Sequence, residues 1–354
     1  MITQNTNEID IHYIPEYVFP SQLVCVVFPR LDYVNWHFKL FKGSEVIVEE
    51  DYVSDRNGDV RVYGIDEVVR STLDVGQLAG YTIEMYDSTE SKSGFTSEFT
   101  AVWCDLDLNI DALTFLQNFF LSPIQSKVTE MGRIEQISYF RLYSDTLPST
   151  GILNVTAEYL VDDTVKTKSF SLGSVGFHHT QSATADVSPK RFLVDGMQLI
   201  SYTVTLDNRS FTFTMGEAET PGFGFLFRNC FGCQDTFYCM GEIETDPQFE
   251  RLSGRFGYRT LVYAPQETFE RIAHSGEIPD GMVALFDDLV RATEVYTIDD
   301  GREVCITDSD TGRTDDISGY ASGSITFRPS GRYAPLQYQI PGRIFDDTFD
   351  NTFN

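Results

Sequence analysis

The sequence predicts a mainly β, multi-domain protein: an N-terminal β-sandwich, then a larger antiparallel β domain with two or three short helices. Aromatic residues make up 14% of the chain, as 28 Phe and 18 Tyr against 2 Trp, and Phe and Tyr favour half-buried strand faces. Short apolar or alternating runs recur about every ten residues, which is typical of antiparallel sandwiches. The 354 residues exceed the roughly 100 to 200 residues of one ordinary domain.

Charge and composition exclude several classes of protein. The 26 basic and 53 acidic residues give a net charge of −27, which repels phosphate backbones, so we expect no nucleic-acid binding. The acidity favours either solubility or docking to a basic neighbour. No apolar run approaches the roughly 18 residues of a membrane span, and the start lacks a signal-peptide pattern, so we expect a chain made in the cytoplasm. Six Cys are too few for a disulfide scaffold, and we expect reduced thiols.

Residues 1–104 are predicted to form the sandwich, of an immunoglobulin-like or fibronectin-like type. Asn57-Gly58 is a strong signal for a tight β-hairpin. Cys25, Trp36 and Cys104 imitate the Cys…Trp…Cys order of immunoglobulin domains. A Tyr is expected two residues before the second Cys, but Val102 stands there. We therefore expect such a sandwich with free thiols. The strand candidates are SQLVCVVFPR, VNWHFKLFKG, EVIVEE, VRVYGI, GYTIEMYDS and FTSEFTAVWC.

Residues 105–133 are predicted to be a helical connector. The segment DALTFLQNFFLSP is apolar almost all round, and Pro123 ends it. A helix without a polar face must be covered on several sides, so it is either wedged between domains or covered by another subunit. Its aromatic residues are therefore candidate partner-binding residues: Phe115, Phe119 and Phe120.

Residues 134–338 are predicted to form the β-rich domain with inserted helices. The segment PQETFERIAHSG begins with Pro265 and ends at Gly276, which predicts one helix. A second helix is expected in PDGMVALFDDLVRA, whose apolar residues recur at helical spacing.

Residues 339–354 are predicted to form an extended C-terminal arm. Phe345, Phe349 and Phe353 are four apart and share one face, and the Asp, Asn and Thr between them are poor helix formers. Fifteen extended residues reach up to about 50 Å, so these Phe residues are candidate partner-binding residues. The alternative is an arm that folds back on its own domain or stays disordered.

No motif in the sequence indicates catalysis or a cofactor. Cys230 and Cys233 form one close pair, but Cys239 and Cys305 are too far apart to complete a zinc site. In the acidic loop DSDTGRTDD, Gly312 falls at position five, where an EF-hand needs an oxygen ligand. The five His are isolated or lie in a polar loop, and no P-loop or nucleophile-elbow motif occurs. We expect a protein that is not an enzyme and has no metal or cofactor.

The C-terminal half resembles tail proteins of phages and prophages of Bacteroidetes bacteria. The resemblance covers roughly residues 195–354. It implies a virion structural subunit near the tail tip or baseplate, with itself or neighbouring virion proteins as partners. The segments that carry it are FLFRNCFGCQDTFYCMGEIE, FDDLVRATEVYTIDDGREVCITD, ITFRPSGRYAP and FDDTFDNTFN.

The alternative is a carbohydrate-binding or carbohydrate-cleaving β-sandwich protein. Such a protein would need an exposed Trp or Tyr platform and usually an export signal. The two Trp, Trp36 and Trp103, lie in apolar runs.

Overall fold

The computed structural model describes residues 8–29, 35–87, 93–140, 152–174, 182–217, 221–312 and 320–331. Within these ranges the chain is mainly β, with several sheets and three α-helices. The predicted fold class, a mainly β protein with more than one β unit, is therefore confirmed. The helices are α1 Ile65–Thr72, α2 Ala112–Asn118 and α3 Val283–Arg291.

The N-terminal β-sandwich packs a three-stranded sheet, β1-β3-β6, against a five-stranded sheet, β2-β8-β7-β4-β5. Both sheets contribute to its core, which includes Val26, Phe28, Phe38, Leu40 and Ile83. The division of β3 and β6 from β4, β7 and β8 follows the immunoglobulin arrangement. The strands are β1 Glu8–Asp10, β2 Tyr17–Val18, β3 Cys25–Phe28, β4 Asn35–Lys42, β5 Glu45–Val53, β6 Val60–Tyr63, β7 Leu78–Asp87 and β8 Ser93–Val102.

The hairpin prediction at Asn57-Gly58 is wrong. A turn does form there, since the N–H of Gly58 donates to the carbonyl of Asp55 at 3.0 Å and Gly58 has a φ of 81°. However, β5 before the turn pairs with β4, whereas β6 after it pairs with β3. The turn therefore carries the chain from one sheet to the other.

The second β unit is built on two large sheets around one continuous core. The five-stranded sheet has the order β12-β11-β14-β15-β9, the seven-stranded sheet has the order β17-β16-β20-β21-β22-β19-β18, and β10 pairs with β13. The strands of the first half are β9 Ser126–Thr129, β10 Gln136–Phe140, β11 Ile152–Val161, β12 Thr164–Ser174, β13 Ser182–Asp186, β14 Gln198–Leu206 and β15 Arg209–Met215. Those of the second half are β16 Phe223–Arg228, β17 Gln234–Cys239, β18 Ile243–Phe256, β19 Arg259–Pro279, β20 Val295–Thr297, β21 Glu303–Gly312 and β22 Tyr320–Pro329.

The second unit begins before residue 134, where the sequence placed its boundary. Strand β9 pairs in parallel with β15, and Phe120 and Ile124 belong to the same core as β11 and β14. Part of the predicted connector is therefore integral to the second β unit.

Of the two predicted helices in this region, one is confirmed and one is wrong. Helix α3 follows a short 3-10 turn at Asp280–Met282 and buries Leu285, Phe286 and Leu289, as its spacing predicts. Residues 265–276 instead lie in β19, which pairs with both β18 and β22. Gly276 has a φ of 72° and sits at an irregularity between β19 and β22, so it bends a strand rather than ending a helix.

Candidate assembly interface

The aromatic residues predicted to bind a partner on the connector lie inside the chain. Phe115 and Phe120 are 6% and 0% exposed, and Phe119 is half-buried with its ring 5.5 Å from that of Phe115. The ring of Phe115 stacks on Phe231 at 4.8 Å, and its edge meets Phe19 at 5.7 Å. Helix α2 is thus wedged between the sandwich and the second β unit. Phe115 and Phe120 therefore offer no surface to another subunit, which corrects their assignment as partner-binding residues.

The other predicted partner-binding residues, Phe345, Phe349 and Phe353, lie outside the described residues. The same is true of the whole predicted arm, residues 339–354.

The junction between the two β units is closed by backbone contacts. The N–H of Asp105 donates to the carbonyl of Cys230 at 2.8 Å. Gly76 and Gly232, each with a φ of 72°, meet backbone to backbone. A Cβ on Gly76 would lie 2.9 Å from the carbonyl oxygen of Gly232, so only glycine fits this contact.

The turn that contains Cys230 and Cys233 has a structural role. The side-chain oxygen of Asn229 accepts from the N–H groups of Phe231 and Cys233 at 3.1 and 3.0 Å, and its amide donates to the carbonyl of Leu121 at 2.8 Å. Burial raises the pKa of Cys233 to about 11, so its thiol stays protonated at neutral pH. Among the described residues, no group of three or more His, Cys, Asp or Glu could hold a metal ion.

A long two-stranded ribbon extends from the edge of the seven-stranded sheet. Strands β18 and β19 pair continuously from Ile243 with Ala273 to Phe256 with Arg259. Strand β22 covers β19 only from Arg271 to Pro279. We call the remaining part, 246–256 and 259–270, the ribbon. At about 3.4 Å per residue it is roughly 35 to 40 Å long, and within the described residues neither of its edges pairs with a further strand.

The ribbon ends in a tight turn with an exposed aromatic residue. Gly257, with a φ of 61°, and Tyr258 form a two-residue loop between paired Phe256 and Arg259, and glycine suits the first position of such loops. The Tyr258 side chain is fully exposed, and Arg255 and Arg259 beside it are exposed as well.

The charge of the ribbon tip is opposite to that of the whole chain. Residues 251–266 contain three Arg and no Asp or Glu, in a chain of net charge −27. Tyr and Arg are enriched among residues that dominate binding energy. The ribbon tip therefore has the composition of a docking element.

Strand β5 is the open edge of the sandwich. It is the last strand of its sheet, and its outer edge pairs with no further strand in the described part of the chain. Its exposed residues are Glu45, Glu49, Glu50 and Asp51, with Val46 and Val53 towards its ends, 42% and 68% exposed. Glu49 and Asp51 also contact His37 at 2.7 and 2.5 Å.

A polar cleft of about 490 Å³ lies where β10 approaches the outer face of β16, β17 and β20. Within it, Arg228 pairs with Glu294 at 2.8 Å. The side-chain oxygen of Gln136 is buried and accepts no hydrogen bond. Tyr296 also lines the cleft.

A buried ionic cluster supports the wall behind this cleft. The Lys127 ammonium lies 2.7 Å from Glu135 and 3.6 Å from Asp235. Thr129 and Thr236 donate to the two oxygens of Glu135 at 2.8 and 3.1 Å. The pKa of Asp235 is raised above its ordinary value, because the effect of burial outweighs the opposing effect of Lys127. Because these groups satisfy one another away from solvent, the cluster joins β9, β10 and β17 and is not an accessible reactive site.

Comparison with known proteins gives no family assignment. No family model matches the chain, and no curated protein matches it. Among solved structures, the Plexin A4 full extracellular region is similar at 11% identity and a TM-score of 0.18, over 93% of this chain and 39% of that one. Calcium binding domain CBD12 of CALX1.1 is similar at 11% identity and a TM-score of 0.19, over 54% of this chain and 74% of that one. The chain thus spans about two fifths of the plexin structure, and at these TM-scores neither likeness bears on function.

Among the helices of the described residues, none combines the length and the apolar character that crossing a bilayer demands.

Proposed function

We propose that this chain is a structural subunit of a bacteriophage virion, placed near the tail tip or baseplate, that acts by binding copies of itself or neighbouring tail proteins. The observation that carries the proposal is the ribbon. A two-stranded ribbon alone in water is marginally stable, and open strand edges recruit further strands. The length of the ribbon, which is unpaired at both edges within the described residues, therefore favours a partner that covers it.

Two further observations support this proposal. The C-terminal half resembles phage tail proteins in the order of its strands and in the segment FDDTFDNTFN. In addition, the described Cys residues of the junction and the Lys127 cluster are engaged in packing, which fits a structural role better than a catalytic one.

The decisive experiment removes the ribbon at its base. Thr245 and Arg271 face each other in the register of β18 and β19, so residues 246–270 can be replaced by Asn-Gly, a favoured two-residue hairpin loop. We expect thermal unfolding to change little, because the core lies in the sheets below. Association with itself and with co-expressed neighbouring tail proteins should be lost. A shortened chain that still assembles like the full chain would refute the role of the ribbon.

A separate truncation tests the C-terminal arm. A chain that ends after Gly342 should unfold at the same temperature as the full chain, yet enter particles or oligomers less well. Normal incorporation of this truncated chain would show that Phe345, Phe349 and Phe353 are not docking residues.

The polar cleft favours a second candidate function, carbohydrate binding. Sugars offer hydroxyl groups and an apolar ring face, and the cleft contains groups that suit both. The unpartnered carbonyl oxygen of Gln136 and the Arg228–Glu294 pair suit the hydroxyls, and the ring of Tyr296 suits the apolar face. Calorimetric titration with oligosaccharides of glucose and of N-acetylglucosamine tests it. Binding that is lost in Tyr296→Ala and in Gln136→Ala would favour this function, whereas no heat with any of them would exclude these sugars as ligands.

A further inference from the structure

We propose that the ribbon of one copy binds the open edge of β5 in the next copy, so that identical chains join head to tail. This inference rests on the proposed function and names the partner of the ribbon: a second copy of this chain.

Charge selects the second copy as a partner. The tip carries Arg255 and Arg259 with no acidic residue nearby in sequence, while the chain as a whole has twice as many acidic as basic residues, 53 against 26. A basic element on an acidic protein is attracted to other copies of that protein at short range. Arg255, Tyr258 and Arg259 are exposed, so the tip can present this charge to a neighbour.

Among the open strand edges of the described residues, β5 is the most suitable acceptor. Strand β12 is also an edge, but it exposes Lys166 and Lys168, which would repel the Arg residues of the tip. Strand β17 is a six-residue edge, and the segment around Ile134 packs against it through a 2.7 Å hydrogen bond from the N–H of Ile134 to Tyr238. Strand β5 has nine residues, and its outer edge pairs with no strand of the described residues.

The side chains of β5 complement those of the tip. Glu49, Glu50 and Asp51 are consecutive and exposed, and the nearby cations, His37 and Lys39, neutralise them only in part. Val53 is 68% exposed at the end of this acidic run and offers an apolar contact for Tyr258. Strand addition would supply main-chain hydrogen bonds, and the charged and aromatic side chains would supply specificity.

A contact of this kind has a defined consequence for assembly. The ribbon and β5 are different surfaces of the same chain, so each copy can donate one ribbon and accept another. Such heterologous contacts produce a closed ring if the rotation closes and a filament if it does not.

Two complementary variants test the proposal. The donor variant, Arg255→Glu with Arg259→Glu, keeps a normal β5. The acceptor variant, Glu50→Lys with Asp51→Lys, keeps a normal ribbon. By sedimentation velocity, we expect wild type to associate with rising concentration and each variant alone to associate at least tenfold more weakly. Mixing the two should restore association, because the normal ribbon of the acceptor variant matches the normal β5 of the donor variant and the two charge-reversed surfaces match each other.

Two further variants separate specific pairing from a general charge effect. Lys166→Glu with Lys168→Glu changes the net charge as much as the donor variant does, and it should leave association unchanged. Combining the donor and acceptor substitutions in one chain reverses both charges and should restore association.

Several results would overturn the inference. One is a wild type that stays monomeric over a 100-fold range of concentration up to its solubility limit. The others are a mixture of the donor and acceptor variants that does not associate, and a Lys166/Lys168 variant that associates as weakly as the donor variant. A monomeric wild type whose ribbon is still needed to bind co-expressed tail proteins would refute self-association alone and leave the proposed function standing.

Discussion

At the scale of single residues, the contact of Gly76 with Gly232 decides how the two β units meet. Both glycines have positive φ and approach too closely for a side chain. A Cβ on Gly232 would overlap the backbone nitrogen of Gly76. Because the neighbouring atoms are backbone, they cannot rotate away as a flexible side chain would.

We expect Gly232→Ala to destabilise the chain more than Gly301→Ala does. Both positions have positive φ, at 72° and 66°, so both substitutions incur a conformational cost of about 1 to 2 kcal/mol. Gly301 has open space around it, whereas Gly232→Ala must also push the junction apart. Urea unfolding of the two variants measures the difference, and equal midpoints would show that the junction adapts easily.

Asp288 is a second residue at the junction with an unusual environment. Burial raises the pKa of Asp288 to about 6, although the N–H of Cys230 donates to its carboxylate at 2.9 Å and lowers it. In the unfolded chain the pKa of an Asp is about 3.9. Between these two values the folded state holds a proton that the unfolded state has released, so stability falls as pH rises from about 4 to 6.

Asp288→Asn should therefore gain stability relative to wild type as pH rises. The amide keeps an oxygen that accepts from Cys230 but does not ionise. Two pKa units correspond to about 3 kcal/mol, so the stability difference between Asn and Asp should grow by up to about that amount from pH 4 to pH 7. Urea unfolding across this range gives the two curves, and parallel curves would contradict the raised pKa.

Predictions about single residues depend on which strand carries them. The sequence comparison with immunoglobulin domains places the expected tyrosine two residues before Cys104, where Val102 stands. The structure has a tyrosine corner earlier, on β7: the hydroxyl of Tyr81 lies 3.4 Å from the carbonyl of Val69 and 3.0 Å from Thr72. Cys104 follows the last strand of the sandwich, so it was the wrong reference point. Helix α1 beside this corner was missed, although Ile65 and Val69 have helical spacing.

At the scale of elements, strand pairing determines secondary structure that local sequence patterns do not predict. The segment from Pro265 to Gly276 begins and ends with residues typical of helix ends. It is nevertheless a strand, because its backbone pairs with β18 and, from Arg271 onward, with β22. The next segment, from Met282 to Val290, was predicted correctly because its apolar stripe matches a core that lies on one side. The ribbon itself was not predicted, since nothing local shows how far a strand extends beyond its sheet.

The buried Lys127 cluster joins β9, the start of β10 and β17. It was not predicted from the sequence either. Lys127 lies on β9, whereas Glu135 immediately precedes β10, and their side chains are 3% and 0% exposed. Only the fold brings Asp235 beside them.

Lys127→Met should destabilise the chain by roughly 3 to 5 kcal/mol, because it leaves two buried carboxylates without their cation. The double variant Lys127→Met with Glu135→Gln should recover part of this loss, since the amide is neutral and can still accept from Thr129. Urea unfolding of the single and double variants measures both. A single variant that loses less than about 1 kcal/mol would indicate that solvent reaches the cluster.

At the scale of the whole molecule, two β units share one covered junction. Helix α2, the turn at Cys230 and the end of β8 all contribute to its apolar core. The sequence predicted an apolar helix that must be covered but left open what covers it. Sequence periodicity shows that a face is apolar, whereas the identity of its cover depends on contacts between residues more than 100 positions apart, such as Phe115 and Phe231.

The net charge of −27 opposes self-association, whereas the basic ribbon tip favours it. The two effects depend differently on ionic strength. Repulsion between acidic bodies acts over long distances and is screened first, since the Debye length is about 30 Å at 0.01 M salt and about 8 Å at 0.15 M. The attraction of Arg255 and Arg259 to β5 acts at contact distance and weakens only as the Debye length falls to about 3 Å near 1 M. We therefore expect wild-type association to strengthen from 0.01 to 0.15 M salt and to weaken again towards 1 M.

The donor variant, Arg255→Glu with Arg259→Glu, should show the rise without the later fall, and sedimentation at the three salt concentrations would reveal it. A wild type whose association rises steadily to 1 M would mean that apolar contacts, rather than the charges of the tip, hold the copies together.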